Sequence, residues 1–186
     1  MQDDASERFA RQAAPARYRS AGASAGRVGQ IFHREANLDV SEHHAQVAWQ
    51  RGDAEFDYAA YPREHSWTFD HGINVSASAA PEYRGKAGYV DPEQAFVAAL
   101  ASCHMLSFLA IAARRRLVVN DYRDSAVGIL EKNAQGKLAL THVDLRPQVI
   151  FDGPPPTATE LTQLHEWAHQ ECFIANSVLT KVNVSS

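Results

Sequence analysis

The segment Asp91-Pro-Glu-Gln-Ala-Phe-Val-Ala-Ala-Leu-Ala-Ser-Cys-His-Met-Leu-Ser-Phe-Leu-Ala-Ile-Ala-Ala-Arg114 decides the fold. Asp91 is suited to cap a helix, Pro92 to open it, and Gln94 to close a capping box with Asp91. From Ala95 to Ala113 only Ser102, Cys103, His104 and Ser107 interrupt an apolar run. Arg114, Arg115 and Arg116 then favour the negative end of the helix dipole. A helix apolar on every side must be covered on every side, which predicts a deep core or a subunit interface. The run approaches the ~20 residues a bilayer requires. An Ala- and Ser-rich segment that stands alone and holds a histidine reads instead as a buried core helix. In its middle sits Cys103, one of two cysteines in the chain.

Outward from this helix the pattern is β-rich. Upstream, His44–Gln50, Phe56–Tyr61, His65–Phe69 and Ile73–Ala79 read as strands, separated by the turn signals Arg51-Gly-Asp53, Pro62 and Asp70-His-Gly72. Downstream, Asn120-Asp121 reads as a break before a strand over Ser125–Lys132. Lys137–Phe151 reads as a long strand with a bulge at Pro147. A second helix starts at Thr157, with Glu160 at capping-box spacing, and runs to about Glu171. A helical turn over Ala175–Val178 and a strand over Leu179–Val184 follow. The order predicts an α+β domain with antiparallel sheets around one long buried helix. Residues 1–40, biased to Ala, Arg, Ser and Gly, read as a poorly ordered tail before a domain over 41–186.

The totals set bounds. At 186 residues, 45% hydrophobic and 22% charged, the chain suits one soluble globular domain plus some excess. A net charge of −4 and pI near 6.1 give no electrostatic case for nucleic acid or an anionic membrane as partner. The N-terminus carries Asp3, Asp4 and Glu7 with no apolar core, so it does not read as a signal peptide, and a cytoplasmic location is expected. Two cysteines make no disulfide framework; in a reducing compartment any bridge between them would be transient. A lone core cysteine usually behaves as a small hydrophobe. A reactive one needs a cation beside it, because burial alone raises a thiol pKa.

Two segments point further. Asp91-Pro-Glu-Gln-Ala-Phe-Val-Ala-Ala-Leu-Ala-Ser-Cys103 resembles the N-P-E-x(9)-C segment of the OsmC/Ohr family, the osmotically inducible protein C and organic hydroperoxide resistance proteins. Ala168-His-Gln-Glu-Cys172-Phe-Ile-Ala-Asn176-Ser resembles that family's A-x-x-x-C-P-x-S-N segment. Asp91 replaces Asn and Phe173 replaces Pro; neither change removes a reacting group. The resemblance, over roughly residues 41–186, implies an OsmC-like fold, an intertwined homodimer with active sites at the interface, and a thiol-dependent peroxidase. In that reading Cys103 attacks the hydroperoxide substrate, Cys172 resolves the sulfenic acid as a disulfide, and an external dithiol, of lipoyl type in one branch, is the reductant. No bound cofactor and no metal is implied.

The resemblance also makes Glu93 the holder of an active-site arginine. Arg63, nine positions before Gly72, is the preferred arginine, and Arg84, nine before Glu93, is the alternative. By itself Glu93 is also a favourable charge in a first helical turn. It lies ten residues, about 15 Å, from Cys103 along a straight helix, so one helix cannot bring both to one pocket. A site using both would need two chains. His65 and Trp67 alternate with Arg63 and are candidates to line its pocket; His104 reads as a core histidine.

One rival motif is His165-Glu-Trp-Ala-His169, a literal H-E-x-x-H on a helix. No Asp, Glu or His follows Glu171 to serve as a third zinc ligand, so a chance match is the expected reading. A non-catalytic protein that binds a small ligand or partner in the same fold is the remaining alternative.

Overall fold

The computed structural model describes residues 40–185. The chain divides into two units, residues 1–43 and 44–186, and every helix and strand among the described residues belongs to the second. The expected tail over residues 1–40 lies almost entirely outside the described residues.

Helix α1 spans Pro92–Arg114. The Asp91 carboxylate accepts the Gln94 backbone N–H at 2.7 Å, and the Gln94 side chain accepts the Asp91 N–H at 3.4 Å. Before α1, strands β1 (Ala45–Ala48), β2 (His65–Phe69) and β3 (Asn74–Ala77) form an antiparallel sheet in the order β1-β2-β3. After it come β4 (Val119–Asp124), β5 (Val127–Lys132), β6 (Leu138–Leu145), β7 (Pro147–Phe151), α2 (Ala158–Gln170) and β8 (Lys181–Val184). β4 pairs with β7, while β5, β6 and β8 form a separate sheet. The β5–β6 pair is antiparallel; β8 runs parallel to β6, the exception to the otherwise antiparallel pairing.

α1 is packed from two sides. Phe108, Ile111 and Ala112 meet Leu164 and Ala168 of α2. Leu100 meets Val143 and Leu145 of β6. Gly128 lets β5 come this close to the helix: a Cβ there would lie 2.5 Å from Val97 Cγ2. The helix is long and apolar enough to span a bilayer, but in this fold it carries the core; even so, only a third of its most apolar stretch is buried in a single chain. Leu106 is 62% exposed on it. The apolar pattern predicts cover all round, and one chain supplies it only in part.

Three sequence readings change. Phe56–Tyr61 is a turn, not a strand: the Asp57 carboxylate accepts the Ala59 N–H at 2.8 Å and the Asp57 carbonyl accepts those of Ala60 and Tyr61 at 3.0 Å. Asn120-Asp121 is no break but part of β4, at a register shift against β7. Pro147 marks no bulge within one strand. At Arg146 the chain leaves β5 for β4 as partner, and the Arg146 N–H donates to Asp124 at 2.8 Å.

Candidate active site

Cys103 lies in the middle of α1, half-buried; Cys172 follows the C-terminal end of α2, buried. Besides burial, the Cys103 side chain is among the groups that raise the Cys172 thiol, so the two side chains are neighbours. The two helices achieve this by crossing at the Phe108–Leu164–Ala168 contact. Burial, reinforced by the Cys103 side chain, pushes the Cys172 thiol up to about 11. The Ala175 N–H, donating to Cys172 Sγ at 3.4 Å, opposes this shift only in part. Cys172 is therefore a thiol, not a thiolate, at neutral pH.

Arg63 is held in the segment before β2. Its guanidinium lies 3.5 Å from the Tyr61 ring centroid and 5.1 Å from that of Tyr58, and it donates to the carbonyls of both residues. Arg84 ends the short 3-10 helix Pro81–Tyr83 with a left-handed φ of 64°. Its guanidinium lies 5.5 Å from the same Tyr58 ring. The two arginines, alternatives in the sequence, thus converge on one aromatic residue. His65 Nδ1 donates to the Arg63 carbonyl at 2.9 Å and packs on Trp67 at 5.8 Å between centroids. Arg63 and His65 line an apolar cavity of about 540 Å³ together with Val47, Trp49, Phe56 and Pro92. Trp67 is not among the residues that line that cavity.

Glu93 lies elsewhere, on a larger cleft of about 840 Å³ that runs along α1 past Val97, Ala98, Ala101, Ser102 and Met105 to Gly128 and Leu140. Among the described residues Glu93 makes no ion pair with Arg63 or Arg84. Within one chain the structure thus brings Cys103 beside Cys172 and Arg63 beside Arg84, while Glu93 lines its cleft together with Glu82 and Tyr83, the residues that precede Arg84.

His104 is a core histidine, as its position suggests, but not an isolated one. Its Nε2 lies 3.0 Å from His165 Nδ1, and both rings are buried. This accounts for the first histidine of the H-E-x-x-H segment: His165 packs inward against α1. Among the described residues no group of three His, Cys, Asp or Glu is placed to hold a metal ion. Sequence reasoning missed Tyr58 and read His165 only as part of a chance H-E-x-x-H match. Tyr58 offered no signal beyond aromatic content, whereas His165, four and seven positions before His169 and Cys172, already lay on the face that bears the second thiol.

An α+β domain in which one long apolar helix and the end of a second bring two cysteines beside each other is the class these features define. Residues 85–186 match the family model described as OsmC-like protein, and the chain belongs to that family. A Vibrio cholerae structure described as an OsmC-like protein of unknown function is 51% identical, with a TM-score of 0.76, covering 78% of this chain and 99% of its own. Two more distant structures are similar in fold: an organic hydroperoxide resistance protein from Elizabethkingia anophelis (18% identity, TM-score 0.61, 79% of this chain and 94% of the other) and one from Legionella pneumophila (18%, 0.59, 78% and 95%). No functionally curated protein matches the chain.

Proposed function

We propose that this protein is a thiol peroxidase that reduces organic hydroperoxides through Cys103 and Cys172. The placement of these two cysteines as neighbours, one in the middle of α1 and one just past the end of α2, is the observation that carries the reading. The family, and the names of the Elizabethkingia and Legionella proteins of the same fold, support it. In the first step the Cys103 thiolate attacks the peroxide O–O bond, becomes a sulfenic acid and releases the alkoxide, which leaves as the alcohol on protonation. In the second, Cys172 sulfur bonds to Cys103 sulfur, the S–O bond breaks, and the Cys172 proton departs with the hydroxyl as water. A dithiol reductant, such as a lipoyl group, returns both thiols by exchange.

The attacking thiolate requires a positive neighbour. Arg63 is the preferred one, with Arg84 the alternative, and a second copy of the chain supplies the arrangement. Ten residues of helix, about 15 Å, separate Glu93 from Cys103, so a site that uses both takes Glu93 from a partner α1. The incompletely covered α1 and the apolar cleft along Ala98, Ala101, Ser102 and Met105 give that partner a place to pack. The protein is then a homodimer with two interfacial sites. A reducing cytoplasm would keep both thiols ready.

The test is consumption of an organic hydroperoxide and of hydrogen peroxide with dihydrolipoamide, for wild type and Cys103→Ser. Turnover of the organic hydroperoxide by wild type alone is expected. No turnover with either peroxide would leave a non-catalytic binding protein as the reading.

A further inference from the structure

The His104–His165 contact has no part in the chemistry above, although it sits beside the reacting thiols. His104 directly follows Cys103 on α1; His165 lies in the last turns of α2 and precedes Cys172, just beyond the helix end, by seven residues. The rings meet edge to edge and nearly coplanar, 5.3 Å between centroids and 10° from parallel, and Phe108 stacks on the face of His165 at 4.5 Å. The exposures are 1% and 3%. The other polar link between the helices in this region is the longer Ser107 Oγ to Glu171 carbonyl contact of 3.4 Å. Apolar packing of Phe108, Ile111 and Ala112 against Leu164 and Ala168 also holds the two helices together here.

Apolar contacts tolerate small slips between helices, whereas a buried hydrogen bond does not. Sliding α2 past α1 would strand two polar rings in the core, each at the cost of an unmet buried donor or acceptor. We infer that the His104–His165 hydrogen bond is a positioning element for disulfide closure, fixing the end of α2 so that Cys172 sulfur stays aimed at Cys103. Burial holds both imidazoles at about 4, with the neighbouring histidines adding to the effect on His104. At neutral pH both are therefore uncharged, and one ring N–H is shared between them. The inference rests on the thiol-peroxidase reading and concerns its second step alone: closure expels water from the Cys103 sulfenic acid and the Cys172 thiol and needs no outside oxidant. A misplacement of about 1 Å suffices to slow such a step by up to about a hundredfold.

The experiment uses reduced full-length protein, one equivalent of cumene hydroperoxide, rapid alkylation and mass spectrometry. It follows Cys103 oxidation, Cys103–Cys172 disulfide and Cys103 sulfinic acid separately. His165→Phe keeps a ring against Phe108 but removes the bond; His165→Asn keeps a hydrogen-bonding atom near the place of Nδ1. For His165→Phe the expected result is Cys103 oxidation within about twofold of wild type, closure at least about tenfold slower, and accumulation of sulfinic acid when excess peroxide is added. His165→Asn should recover most of the closure rate. Should His165→Phe not fold, His104→Asn, whose amide falls short of the Nε2 position, is read in the same way. Closure at the wild-type rate in the bond-breaking variant, no recovery by His165→Asn, or an equal loss in both steps overturns the inference. If wild type itself forms no Cys103–Cys172 disulfide, the peroxidase reading falls and this inference with it; closure in wild type and variant alike removes the inference alone.

Discussion

Arg63 and Arg84 face one ring, that of Tyr58, at 5.1 and 5.5 Å from its centroid. Two guanidiniums 21 residues apart in sequence repel each other, and the electron-rich face of an aromatic ring offsets that repulsion. At partly exposed sites each contact contributes about 0.5–1 kcal/mol. Through the Arg63 contact alone, Tyr58→Ala should lower peroxide turnover by roughly 2- to 5-fold. Tyr58→Phe, which keeps the ring, should stay near the wild-type rate. Steady-state kcat/KM for the two variants decides it: equal losses would mean that the ring holds neither arginine.

The individual arginines are separable by the same assay. Arg63 is tied both to Tyr61 and to the backbone around it and lines a cavity that reaches the start of α1 at Pro92. Arg84 has the strained left-handed backbone and the more distant ring contact. Arg63→Ala is expected to slow peroxide consumption by about two orders of magnitude or more, the scale of losing one charged stabilising group at a reacting centre. Arg84→Ala should remain near wild type; the reverse order would exchange their roles.

The thiol of Cys172 makes stability fall at high pH. Its folded-state value near 11 lies above the ordinary 9, so between these limits the folded chain binds more protons than the unfolded one. Its contribution to stability is therefore present below pH 9 and is lost as pH rises toward 11. Urea midpoints at pH 8 and pH 10.5 should drop more for wild type than for Cys172→Ala. A parallel drop in both would assign the loss to other groups, such as lysines and tyrosines.

The parts of the fold legible in sequence are those set by local chemistry. α1 is legible because its cap, its proline and its apolar run lie within one segment. Cys103 and Cys172 are legible because each sits in a recognisable motif. Phe56–Tyr61 misleads because aromatic content mimics a strand, whereas the Asp57 side chain bonds its own backbone and bends the chain. β4 escapes notice because Asn120-Asp121 looks like a breaker, although its irregularity is absorbed as a register shift against β7. The parallel β6–β8 pairing and the His104–His165 bond join residues 39 and 61 positions apart, and no local pattern records such choices.

The histidine pair works on the acid side. Both folded-state values lie near 4, below the ordinary 6.5, because burial disfavours the charged rings. Between pH 6.5 and 4 the unfolded chain binds more protons, so stability should fall as pH falls through that window. Urea midpoints at pH 7 and pH 4.5 are expected to differ by more in wild type than in His104→Phe/His165→Phe. Equal differences would show that carboxylates alone account for the acid loss.

Leu106, 62% exposed in the middle of the apolar α1, marks the surface a second chain would cover. Leu106→Glu would place a carboxylate in a buried helix–helix contact, where an unpaired charge costs several kcal/mol. Light scattering should then find a monomer of 20.5 kDa where wild type gives twice that mass. Activity should fall with the dimer, because Glu93 lies about 15 Å along its own helix from Cys103 and only a partner can deliver it. A Leu106→Glu monomer with full activity would return the complete site to one chain, and a wild-type monomer would remove the interface itself.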